Sequence, residues 1–94
     1  MTQSTVKTES GRAADAIAQV LESEIVTGVL PADSPLPVER VLIERFGTSR
    51  TVIRQAILIL SGRGLVESKP RFRPIVRKSG YQSALEAMSG VVKL

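Results

Sequence analysis

Gly47 constrains this chain more than any other residue, because it sits alone between two short runs of helical periodicity. Before it, Leu42 and Phe46 stand four apart, so Glu39 to Phe46 reads as a short helix with both side chains turned inward. After it, Ser49 offers a hydroxyl that can accept from a free amide one turn on, which marks an N-cap. Ile53, Ala56, Ile57 and Leu60 then cluster on one side of a wheel of about 100° per residue, giving a helix from Ser49 to about Ser61. Two helices joined by so tight a glycine turn form a helix-turn-helix.

The surrounding segments complete a small domain. Ala14, Ile17, Leu21 and Ile25 recur at steps of three and four, so a first helix starts at Arg12 and stops at Gly28. Thr2 to Gly11 lacks apolar periodicity and is expected to be a mobile arm, giving a boundary at 1–11. Val29 to Pro37 holds three prolines, which keep the chain extended, with Leu30 and Leu36 tacking it to the core. Val38 is a poor cap for the second helix, although Glu39 suits its positive end. Leu65-Val66-Glu67 and Ile75-Val76-Arg77 are expected to pair as an antiparallel hairpin around the basic turn Lys69-Pro70-Arg71-Phe72-Arg73-Pro74. The expected fold class is therefore mostly α with a small β-hairpin, a winged helix-turn-helix over residues 12–78. Tyr81, Leu85, Met88 and Val92 form a last helical stripe opened by the capping box Ser83-Ala84-Leu85-Glu86. This stripe closes either the domain's own core or begins another unit, and 79–94 is read as a linker or the first helix of a missing C-terminal domain.

Composition narrows the chemistry. With 94 residues and 43% hydrophobic content, the chain can bury one modest core. It has no cysteine and no histidine, so it lacks a thiolate nucleophile, sulfur ligation of zinc, the usual general base and the commonest metal ligand. An enzyme is the least favoured reading, and no cofactor is expected within these residues. Met1 to Ser10 is polar, and no stretch approaches the ~20 apolar residues that span a bilayer, so neither a signal peptide nor a membrane partner is expected. A soluble, reducing compartment fits, most simply a bacterial cytoplasm.

Charge is unevenly divided. Residues 1–38 carry two basic and five acidic side chains, whereas residues 39–78 carry ten basic and three acidic ones. Such a segment suits a polyanion, although a solvated surface gives the same totals, and position has to decide. The third helix supplies that position. Arg50, Thr51, Arg54 and Gln55 lie off its apolar face, all in its first half. A helix set by such a turn can enter the major groove of DNA, where an Arg fork contacts guanine O6 and N7 together. Ser49 and Thr51 suit phosphate oxygens near the positive helix end, and Arg40 approaches the backbone from the second helix. Gln55 can read adenine, though an inert surface glutamine fits equally. Lys69, Arg71 and Arg73 in the wing are expected along a phosphate strand or in the minor groove.

Gly28-Val29-Leu30-Pro31, Leu36 to Leu42, Phe46 to Ile57, Leu60 and Gly64-Leu65-Val66, in continuous spacing, resemble the N-terminal domain of the GntR family of bacterial transcriptional regulators. Within it the chain is most similar to the subgroup whose C-terminal domain is all-helical. The resemblance implies a repressor or activator that binds a short palindromic double-stranded operator as a homodimer. It also implies a small-metabolite effector bound by a separate C-terminal domain. Arg40, Ser49, Arg50, Thr51 and Arg54 occupy the family's DNA-contact positions. Arg71 and Arg73 stand where many members have glycine, Val38 where a capping serine is common, and Gln55 where glutamate is common.

Two other functions fit parts of the pattern. A winged helix can serve as a protein–protein module whose basic face docks an acidic partner, without sequence-specific DNA binding. RNA binding lacks stacking aromatics, only Phe72 being placed for it. Leu58 and Ile59 fall off the apolar face of the third helix, and with Val52 they are expected to offer a small patch to a partner.

Overall fold

The computed structural model describes residues 2–77, with side chains from residue 11 onward. Its elements follow in the order α1 (Thr2–Thr27), α2 (Glu39–Phe46), α3 (Arg50–Gly62), β1 (Val66–Glu67) and β2 (Ile75–Val76). α1 packs along α3, α2 lies against α3, and the two strands pair antiparallel with Val66 opposite Val76 and Glu67 opposite Ile75. The arrangement is a winged helix-turn-helix, as the periodicities require.

The core is the sum of the apolar stripes. α1 contributes Ala14, Ile17, Ala18, Leu21 and Ile25, and α3 contributes Val52, Ile53, Ala56, Ile57 and Leu60, all buried. Leu42 from α2, Leu36 from the connecting loop, and Leu65, Val66 and Val76 from the hairpin close it. No polar or charged residue is buried among the described residues, so the core is held by apolar burial alone.

The ends of the helices are set by particular residues. Gly28 takes φ 87°, a left-handed conformation that turns the chain out of α1, and the Leu30 amide then donates to the Glu24 carbonyl at 2.9 Å. Gly47, at φ 61°, does the same for α2, where its own amide and that of Thr48 return to the Ile43 carbonyl. Ser49 caps α3, its Oγ accepting from the Val52 amide at 3.2 Å. Val38 gives α2 no side-chain cap.

Three features depart from the sequence reading. First, α1 begins at Thr2 and not at Arg12. Nothing in residues 2–11 blocks the helix, which extends from its packed part without an apolar stripe. Second, the proline-rich loop is part of the sheet. Pro35 bridges Ile75, the Leu36 amide donates to Pro74 O at 2.9 Å, and the Val76 amide donates to Ser34 O at 2.8 Å. β2 therefore lies between β1 and the segment that leads into α2. Third, the patch expected from Val52, Leu58 and Ile59 reduces to one residue. Val52 is buried and Ile59 packs on the core, while Leu58 is 70% exposed. The stripe Tyr81 to Val92 lies outside the described residues.

Candidate nucleic-acid interface

The first half of α3 is the only stretch of that helix with successive polar side chains, and the turn before it aims them outward. With Val52, Ile53, Ala56 and Ile57 buried, the opposite face must project into solvent. Arg50, Thr51, Arg54 and Gln55 are all exposed there, as is Ser49 at the cap. The two guanidinium side chains are 64% and 63% exposed. Arg40 is exposed on the first turn of α2. The free amides at the start of α3 add a positive end to the same corner.

A carboxylate that the sequence reading did not connect to α3 stands beside these arginines. Glu39, the first residue of α2, accepts from Arg54 Nε at 3.0 Å and lies 3.6 Å from Arg50 Nε. Its separation in sequence hides it: spacing rules find partners three or four apart on one helix, not across a turn. Arg40 and Glu44, four apart on α2, form no ion pair among the described residues, and Glu39 is engaged with the third helix.

The wing carries the remaining cations. Lys69, Arg71, Phe72 and Arg73 are exposed, Phe72 to 73%. Lys69 to Phe72 form a turn closed by the Phe72 amide donating to Lys69 O at 3.1 Å. Pro70 occupies the first corner and Arg71, at φ 70°, the second, where a glycine fits most easily. Arg73 donates through Nη2 to the Leu36 carbonyl, so its guanidinium ties the wing to the loop before α2. Lys69 Nζ lies 3.7 Å from Glu67. Of the three wing cations, Arg71 alone makes neither a side-chain hydrogen bond nor an ion pair among the described residues.

Other basic residues of the 39–78 segment are engaged away from this face. Arg45 clasps Glu24 of α1 through two nitrogens, one at 2.9 Å. Arg63 binds Glu22 at 2.7 Å, and Arg77 joins Glu67 at 3.0 Å and also Asp33. The hydrogen bond from Arg45 holds the Glu24 carboxyl below its ordinary range, against a smaller desolvation cost. That from Arg77, helped by the charge of Lys69, lowers Glu67 in the same way. These three arginines are ion-paired within the domain, and the other cations described between residues 39 and 77 are gathered on α3, Arg40 and the wing.

Residues 13–75 match the family described as bacterial regulatory proteins, gntR family. The chain belongs to the gntR family. The Glc operon transcriptional activator of Escherichia coli (strain K12) is 38% identical over 63 residues, covering 67% of this chain and 25% of that protein. The HTH-type transcriptional repressor NagR of Bacillus subtilis (strain 168) is 36% identical over 73 residues, covering 78% of this chain and 30% of that protein. This gntR-family chain spans about a quarter of the length of the first of these relatives. Among solved structures, AraR(DBD) in complex with operator ORX1 is similar with a TM-score of 0.64 and 31% identity, covering 68% of this chain and 77% of that one. No helix among the described residues is long and apolar enough to cross a membrane.

Proposed function

We propose that this gntR-family chain is the DNA-binding part of a bacterial transcriptional regulator, reading double-stranded DNA with the first half of α3 in the major groove. The observation that carries the reading is the pair Arg50 and Arg54, exposed side by side on the capped half of a helix whose other face is buried. Arg54, with Arg50, reads base edges. Ser49, Thr51 and Arg40 hold phosphates, with the positive end of α3 adding to the first two. Gln55 borders the same surface. Arg71, with Lys69, contacts the backbone or minor groove, and Arg73 braces the wing as well as adding charge. The likeness to AraR(DBD), solved with its operator, supports this assignment.

The regulator acts as a homodimer on a short palindromic operator in the bacterial cytoplasm. A small metabolite controls it through a C-terminal domain for which 79–94 is the linker or first helix, residues 12–78 being the DNA-binding unit. The greater length of the named regulators supports the further domain. They include an activator and a repressor, so either sign of control fits this interface.

The test uses a duplex selected by the chain from a random pool, compared with a scrambled duplex of equal length. Arg54→Ala is expected to remove ~1–3 kcal/mol of discrimination between them, the worth of one bidentate base contact. Arg71→Ala is expected to weaken both duplexes alike and to lower the salt dependence of binding by about one phosphate contact. Equal loss on both duplexes for Arg54→Ala would remove base reading from α3. Absence of duplex binding at physiological salt would favour the protein–protein module.

A further inference from the structure

Glu39 is the point at which α2 touches the reading face of α3. Its carboxylate is shared between two arginines, with Oε2 accepting from Arg54 Nε at 3.0 Å and Oε1 at 3.6 Å from Arg50 Nε. Both guanidiniums extend past it into solvent; among the described residues Arg54 makes no other hydrogen bond, and Arg50 is held by charge alone. An arginine can offer a guanine either its Nε edge or its Nη1–Nη2 end. In Arg54 the edge is occupied, and the end remains.

We propose that Glu39 is a positioning residue that presents Arg54 end-on to a guanine and reduces the hold of Arg50 and Arg54 on bare phosphate. The inference rests on the base-reading role of α3 proposed above. Two physical effects combine. A guanidinium anchored at Nε has fewer rotamers to lose when it meets a base, so the fork is pre-organised. The carboxylate also cancels one of the two positive charges beside it, which weakens sequence-independent attraction to phosphates and widens the gap between right and wrong sites. Glu39 thereby contributes to specificity without itself accepting from DNA.

The experiment measures binding of the full 94-residue chain to the selected and scrambled duplexes over a range of salt. Glu39→Ala is expected to lower the ratio of the two affinities about tenfold, with scrambled-duplex affinity rising about threefold. Glu39→Gln keeps an oxygen that can accept from Arg54 Nε and should restore the ratio to within about threefold of the unaltered chain. In an Arg54→Ala background, Glu39→Ala should change the ratio by less than about twofold, since coupled residues lose their joint effect once. The inference is overturned if Glu39→Ala leaves the ratio unchanged while Arg54→Ala lowers it. It is equally overturned if Glu39→Gln is no better than Glu39→Ala, or if the loss persists without Arg54. Should Arg54→Ala itself keep full discrimination, base reading fails, and this inference fails with it. Circular dichroism checks that each variant is folded, Glu39→Gln serving as the mildest change.

Discussion

Arg71 shows how a single backbone angle can separate stability from function. Its φ of 70° puts an L side chain in the left-handed region, at a corner preceded by Pro70. That conformation costs a non-glycine residue ~1–2 kcal/mol. Arg71→Gly is therefore expected to raise unfolding stability in urea by about 1 kcal/mol, offset in part by the flexibility of glycine in the unfolded chain. The same change should weaken duplex binding, because it deletes the wing cation that has no side-chain partner among the described residues. A stabilised chain with undiminished affinity would mean that the Arg71 side chain serves some end other than DNA contact. Arg73, the second position where the family resemblance expects glycine, is different: its contact with the Leu36 carbonyl gives it a structural role.

Among the elements, α3 depends most on its first residue. Ser49 Oγ satisfies the Val52 amide, one of the first-turn donors that have no partner within the helix. Ser49→Ala should lower stability by about 1 kcal/mol, measured by urea or thermal unfolding, and fray the turn that carries Arg50 and Thr51. Much of this was legible in the sequence. The stripe Ile53, Ala56, Ile57, Leu60 locates the buried face, Ser49 and Gly47 locate the start, and what remains is the exposed face for which DNA reading is proposed. The hairpin was legible from its two apolar runs. The bridge from Pro35 to Ile75 was not, because a proline run argues against a strand and the pairing uses carbonyls and neighbouring amides instead. Glu39 was read only as a favourable charge at a helix end, and its bond to Arg54 depends on how α2 and α3 are placed. Within α3, Val52 looked partly exposed because the wheel shows one face, whereas this helix meets α1, α2 and the hairpin and is buried over a wider arc.

Across the whole molecule, ion pairs join different elements and loops: Glu24 to Arg45, Glu22 to Arg63, and Asp33 with Glu67 to Arg77. Glu24 and Glu67 have lowered folded pKa values, so the unfolded chain takes up protons first as the solution is acidified. Their contribution is complete above the ordinary glutamate value of 4.5 and is lost as pH falls through the lower folded values. With neither histidine nor cysteine present, thermal stability should be level from about pH 5 to 8 and decline below it. Arg45→Ala should cost about 0.5–1 kcal/mol at neutral pH and make the acid decline shallower, read from melting curves across the pH range.

The pairing of β2 with residues on both sides has a geometric consequence for the proposed complex. The base of the wing is fastened to the segment that leads into α2, and α2 is fastened to α3 by the Gly47 turn. In the proposed complex, wing tip and reading helix would then act as two jaws of a calliper whose opening this frame sets. A duplex whose adjacent grooves already match that opening fits without distortion. Under that reading any other would have to be bent or twisted to fit, and the elastic energy would come out of its affinity, making the span of the frame a selector of DNA shape at base pairs that no side chain touches.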